Sequence, residues 1–354
     1  MEELNGVNCP ALQKIDYIAR NANYFRQKRR PKHPSDLDFE LYEEHLPLDF
    51  LRQDLRVDSA RHLIFATDSQ LSLLSRAKCW YADATFKVVR EPFKQLFSVH
   101  AFVKSDNASK QLPLVTCLMS RRKKKDYQSV FRAVKEMLPS PPRVKRIMLD
   151  FEAATWKAVR RVFPEIEIKG CAFHYTQAVW RHVQKLGLTT PYAEDSGTYK
   201  FIRKLMALCL LPNQHIQPVF ERLKDDATTN ELKSLTEYIQ RTWISSTIWS
   251  PEAWSVFMLI TRTNNDLEGW HNRLNSCGRP QLDLYQLIAL LHDESKFAAI
   301  QARLVSEKKL EKHRRKTYKE IDDKLLSLWQ EYENGRKSAY QLLRACSRVY
   351  GPTE

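Results

Sequence analysis

The sequence predicts an α/β protein. A mixed sheet is laid down in the order βββαβαβα, interrupted by an all-helical insertion, with helical extensions at both the N- and C-terminal ends. Three observations carry this reading. A stretch near residue 80 alternates apolar and polar side chains with period two, and two nearly continuous apolar runs follow it closely. From residue 126 helical and strand patterns alternate. Beyond residue 196 strand patterns vanish and helical ones take over.

Taken in order, residues 1–66 read as helical pieces broken by a basic stretch, RQKRRPKHP (26–34), and an acidic one, SDLDFELYEEHLPLD (35–49). Residues 1–77 are therefore expected to be a helical or linker region with a solvated lead-in. In KCWYADATFKVV (78–89), Trp80, Ala82, Ala84, Phe86 and Val88 share one face, and Tyr81, Asp83, Thr85 and Lys87 the other. LFSVHAFV (96–103) and LPLVTCLM (112–119) complete three antiparallel strands, the last two apolar enough to be covered on both faces.

DYQSVFRAVKEMLP (126–139) has a helical stripe, RVKRIMLDFE (143–152) is a buried strand ending at Asp150, and EAATWKAVRRVF (152–163) is a helix stopped by Pro164. EIEIKGCAF (165–173) alternates again, and HYTQAVWRHVQKLG (174–187) is an amphipathic helix with Gly187 at its C-terminal end. This order is that of the core of a ribonuclease-H-like fold. It divides the chain into a first core part (78–190), a helical insertion (191–262) that includes PEAWSVFMLI, final core helices (263–303) and a basic helical tail (304–354) carrying KKLEKHRRK (308–316).

Composition narrows the function. The chain has 354 residues, 43% hydrophobic, with 57 Lys+Arg against 42 Asp+Glu for a net charge of +15, a surface that favours polyanions. None of its eight glycines lie two or five positions apart, which excludes both the G-x-G-x-x-G dinucleotide loop and the G-x-x-x-x-G-K phosphate loop. The seven cysteines (9, 79, 117, 171, 209, 277, 346) form no C-x-x-C pair and predict buried thiols in a reducing compartment. The acidic N-terminus without an apolar core argues against secretion, and no apolar run approaches the length of a membrane span.

Three acids stand in unusual places. Asp83 lies mid-strand, where Asp is disfavoured; Asp150 ends the apolar strand IMLD; Glu268 lies in NNDLEGWHN. Each alone has an ordinary role, as a bulge cap or partner of Lys87, a helix N-cap, or a surface glutamate. If the first strand neighbours the strand after the first helix, however, Asp83 and Asp150 project from one rim, and a helix packed on the sheet brings Glu268 beside them. Three converging carboxylates call for cations, and two Mg²⁺ or Mn²⁺ ions held in this way suit in-line phosphoryl transfer.

YADATFK, MLDFE, GCAFHYTQAVWRHVQKLGL and RTNNDLEGWHNRLN, in this order and spacing, resemble the Mutator-like element (MULE) transposases, in the animal branch that often carries an N-terminal FLYWCH-type zinc finger. The resemblance spans about residues 78–277 and implies a catalytic DDE triad at Asp83, Asp150 and Glu268, the acids the fold argument selects. It also implies a C-x-x-H motif at Cys171 and His174. Structural zinc there is the minority expectation, because His182, Cys209, His215, His271 and Cys277 are isolated candidates for a second pair. A packed cysteine and a hydrogen-bonded histidine that shape the catalytic region are preferred. The first 78 residues hold one cysteine, Cys9, so the finger of that branch has no counterpart there.

Candidate DNA contacts are Arg121, Arg122, Lys123, Lys124 and Lys125, with Trp270, His271 and Arg273 flanking Glu268 as a stacking face. For each the competing expectation is a solvated loop or core packing, and the tryptophans at 243, 249 and 254 are expected to be packing residues. The expected activity is metal-dependent cleavage of double-stranded DNA at element ends and strand transfer into target DNA, in the nucleus. The family further implies a homo-oligomer on DNA. The rivals are a domesticated DNA-binding or chromatin regulator without turnover, and an RNA–DNA hybrid nuclease.

Overall fold

The computed structural model describes residues 30–105, 108–276, 281–309 and 316–350, together with residues 17, 21 and 24. Cys9, Cys277 and most of the basic run 308–316 lie outside the described residues, as does the start of the run 26–34.

A seven-stranded mixed sheet forms the centre. Its strands are β1 (Leu51–Val57), β2 (Ala60–Phe65), β3 (Cys79–Thr85), β4 (Gln95–Ser105), β5 (Ala108–Met119), β6 (Arg146–Leu149) and β7 (Glu167–Gly170), in the spatial order β1-β2-β5-β4-β3-β6-β7. β3 pairs antiparallel with β4 and β4 with β5, while β3, β6 and β7 run parallel, with Cys79 opposite Arg146 and Ala82 opposite Leu149. β3 thus neighbours β6, the adjacency on which the convergence of Asp83 and Asp150 depends. Central strands β4 and β5 are buried along most of their length, as their continuous apolar runs require.

β1 and β2 correct the expectation of helical pieces before residue 66. They form a hairpin on the edge of the sheet, with β2 paired to β5. Its turn, Asp58–Ser59, puts Asp58 at φ 53° without the glycine that usually marks such turns. The charged, half-exposed pattern of LRQDLRV is that of an edge strand. The lead-in is also more than a solvated segment. Leu37, Phe39, Leu41 and Leu46 pack against the sheet, and the Arg61 guanidinium donates to the Leu37 and Phe39 carbonyls while pairing with Asp54.

Helices cover both faces. On one lie α1 (Asp68–Arg76), α2 (Lys124–Met137) and α3 (Ala153–Val162), packed on Trp80, Ala82, Ile147 and Leu149. On the other lie α10 (Asn265–Ser276) and α11 (Leu284–Ser306), packed on Leu63, Phe65, Leu96 and Leu118. Phe86, expected on the Trp80 face, lies beyond the end of β3 and is exposed.

A second core is built by α4 (Ala172–Lys185), α5 (Thr189–Glu194), α6 (Ser196–Ala207), α7 (Asn213–Asp225), α8 (Asn230–Ile239) and α9 (Pro251–Trp254). The helix expected through PEAWSVFMLI stops at Trp254; Val256 instead donates its backbone N–H to the Cys209 carbonyl and Met258 adopts φ 58°. The C-terminal segment is helical and also reaches the core. α12 (Lys316–Glu333) and α13 (Ala339–Val349) bury Leu325, Trp329, Leu342, Leu343 and Cys346 in this second core, and the Trp329 indole donates to the Leu210 carbonyl. Charge-rich amphipathic helices conceal such a face because their polar residues outnumber the buried stripe.

Candidate active site

The site sits where the carboxyl ends of β3 and β6 meet the first turn of α4 and of α10. Beneath it Tyr81, Met148, Cys171 and Leu267 form a small apolar cluster that ties these four elements together. Asp83 leaves β3 on the α10 face, its side chain 10% exposed, with Oδ1 accepting from the Ala84 N–H. Asp150 follows β6, more open to solvent, and accepts from the Phe151 N–H. It is not the cap of α3; that position is Glu152. Glu268 projects from the first turn of α10.

His174 connects them. Its Nε2 lies 3.0 Å from Glu268 Oε1 and its Nδ1 3.5 Å from Asp150 Oδ1. Asp83, His174 and Glu268 each offer an atom, all within 4.8 Å of one another, an arrangement able to hold a metal ion. The electrostatics follow from the crowding. Burial raises the Asp83 carboxyl well above its usual range; His174 opposes this, and the charges of Asp150 and Glu268 add to it. Glu268 is held low, chiefly by its hydrogen bond to His174. Burial alone would lower His174, but contacts with Cys171 and Glu268 and the field of Asp150 outweigh it and push the imidazole up to about 12. The imidazolium is thus the cation among the acids.

The C-x-x-H residues divide their labour. Cys171 is fully buried and its Sγ accepts the Asn264 backbone N–H, tying the entry of α10 to the start of α4, while His174 meets the carboxylates. Among the described residues no second Cys/His pair joins Cys171 in a metal-binding group.

Behind Asp83 a chain of polar groups runs into the sheet. His271 Nδ1 lies 3.9 Å from Asp83 Oδ2, its Nε2 3.3 Å from Ser98 Oγ, and His100 Nε2 3.1 Å from the same hydroxyl. Burial pushes His271 down to about 4 and His100 well below its usual value, so both are neutral spacers. Sequence reasoning missed Ser98 and His100. Their signal is the pairing of Asp83 with Ser98 and Tyr81 with His100 on one face of adjacent strands, legible only once the register is known.

The site's floor is set by Phe151, next to Asp150. Its ring lies 4.6 Å from Trp243, 5.7 Å from Trp249 and 5.9 Å from Trp156, and the Trp156 indole donates to the Asp150 carbonyl at 2.7 Å. The tryptophans at 243 and 254 are buried packing residues, and that at 249 packs partly buried against both cores. A Cβ on Gly170 would collide with the Phe151 ring. Gly170→Ala is therefore expected to cost about 1–3 kcal/mol as overpacking, read as a lower urea midpoint; an unchanged midpoint would show that the ring is free to shift.

The basic and aromatic candidates separate. Arg121 is engaged with the buried Asp126 and with Asp58, and Lys125 pairs with Asp58. Arg122, Lys123 and Lys124 are exposed, with the Arg122 guanidinium 5.1 Å from the Phe86 ring. Because β5 runs the same way as β3, this segment leaves the sheet at the rim that carries Asp83. The expected stacking face is not presented: Trp270 is 6% exposed with its indole donating to Glu294, and Arg273 forks onto the same carboxylate. His271 is buried beside Asp83.

No helix among the described residues is long and apolar enough to cross a membrane. No curated protein matches the chain. Residues 79–178 match the family model of the MULE transposase domain, a segment that supplies Asp83, Asp150, Cys171 and His174 and ends before Glu268. Over those residues the chain is similar to a MULE transposase domain.

Proposed function

We propose that the protein is a MULE-type DDE transposase of ribonuclease-H-like fold, related to the FLYWCH-associated animal branch, that cleaves double-stranded DNA at element ends and transfers the strand to target DNA. The observation that carries this reading is the convergence of Asp83, Glu268 and, through His174, Asp150 on the rim where the matched segment meets α10. The donor set fits Mg²⁺ or Mn²⁺: hard carboxylate oxygens, two of them partly exposed, beside a carboxyl whose pKa is raised first by burial and further by the charges of Asp150 and Glu268. Asp83 and Asp150 would hold two ions, with Glu268 completing one site. Such ions, when bound, activate a water or 3′-hydroxyl and stabilise the leaving oxygen.

The chain's own residues supply position and charge. Asp83 is fixed by the sheet and by the Ala84 N–H, Asp150 by the Phe151 N–H and the tryptophan box behind it. Arg122, Lys123 and Lys124 offer phosphate contacts along the same rim. A nuclear location and a homo-oligomer on DNA accompany this reading.

The test is nicking of a duplex carrying the element's terminal repeats in Mn²⁺, with wild-type protein beside Asp150→Asn. Nicking in the wild type that the substitution abolishes is expected. Binding without nicking in both proteins would overturn the enzymatic reading in favour of a DNA-binding regulator.

A further inference from the structure

We propose that His174 is itself a metal ligand: the ion nearest Asp83 is held by Asp83, Glu268 and His174 Nε2, with Asp150 orienting the imidazole from its other side. This rests on the carboxylate reading above and changes its ligand set and its metal preference.

The geometry argues for it in three ways. The 3.0 Å separation of His174 Nε2 and Glu268 Oε1 is that of neighbouring ligands on an octahedral ion, which at bond lengths of about 2.1 Å stand about 3 Å apart. The His174 side chain is 90% buried, since only 10% is exposed, and it stands in the first turn of α4. Finally, His174 Nδ1 is buried with no hydrogen-bond partner, and the carboxylate facing it is Asp150 Oδ1 at 3.5 Å. Ligation through Nε2 places the remaining ring proton on Nδ1, where Asp150 accepts it; a carboxylate behind the imidazole is the usual support of a metal-bound histidine. The proton displaced from Nε2 leaves to solvent.

Cys171 stays out of this set because its sulfur accepts the Asn264 N–H. His271 stays out as well, since its Nε2 faces Ser98. An imidazole among the ligands shifts preference from Mg²⁺ and Ca²⁺, which take oxygen, toward later first-row ions that accept nitrogen more strongly, and Mn²⁺ serves as the paramagnetic probe of the site.

The full-length protein loaded with Mn²⁺ alone would be examined by pulsed electron paramagnetic resonance. A ¹⁴N modulation from a directly bound nitrogen is expected in the wild type and in His271→Gln. It should change to the ¹⁵N pattern when the protein is grown with ¹⁵N-histidine, and vanish in His174→Gln with a roughly 10- to 100-fold weaker Mn²⁺ affinity. The isotope label needs no substitution, so it decides the matter even where His174→Gln fails to fold. Mn²⁺ bound without nitrogen coupling would overturn the His174 assignment and leave the three-carboxylate reading standing. No Mn²⁺ bound by the wild type would overturn both.

Discussion

Asp83→Asn is expected to stop DNA cleavage while stabilising the metal-free protein. Cleavage should fall at least about a thousandfold, about 4 kcal/mol in activation free energy, because a neutral amide would replace the carboxylate that would hold the ions. Stability should move the other way. Burial and the neighbouring acids raise the Asp83 carboxyl well above the ordinary value of 3.8. The folded protein therefore keeps a proton there that the unfolded chain releases. The stability gained in this way is complete below the unfolded carboxylate range and is lost as pH rises through the folded-state value. Asparagine removes that loss, and a gain of about 0.5–2 kcal/mol is the scale on which such sites trade stability for activity. Thermal unfolding across pH 4–8 without divalent ions checks it: wild type and variant should converge at the acid end and separate toward neutrality. Parallel curves would mean that the carboxyl cluster carries no strain.

The second large effect belongs to a residue the sequence offers as a DNA contact. Arg121→Ala is expected to cost about 3–5 kcal/mol of stability, the scale for stranding a buried charge. Arg121 donates to both oxygens of Asp126 at 2.8–3.1 Å, and Asp126 has no exposed side-chain surface. The remaining partners of that carboxylate are the Lys123 N–H and His62, and burial holds His62 below its ordinary pKa. Against a typical total of about 5–15 kcal/mol, urea unfolding would register this plainly. Arg122→Ala should change stability by no more than about 0.5 kcal/mol and reduce the salt slope of DNA binding by about one. An Arg121→Ala protein as stable as the wild type would release Arg121 for phosphate binding after all.

The contrast between these neighbours shows where sequence reading stops. RRKKK is a uniform basic run in one dimension. In the fold its first residue turns inward to a carboxylate five positions later, and its last pairs with Asp58 in the β1–β2 turn. The same holds for Trp270 and Arg273, which read as a stacking face beside Glu268 and instead converge on Glu294, a residue of another helix. A polar residue's partner is a property of three-dimensional packing, and a buried Glu on α11 leaves no periodic trace. β1 and β2 were hidden for a different reason. An edge strand is half solvated and its charges blur the period-two signal, and this hairpin turns without glycine.

The sequence by itself determined the central strands and singled out Asp83, because a buried strand must be apolar and an acid inside one breaks that rule visibly. It also carried the resemblance read over about residues 78–277, of which the family model matches residues 79–178. Only the tertiary structure decided what stands between the acids. His174 meets Glu268 because β7 delivers α4 to the rim beside β6 while α10, far along the chain, packs into the same small cluster with Tyr81 and Cys171. Local pattern encodes burial, which each residue meets alone. The convergence of charges depends on distances between segments that only the folded sheet brings together.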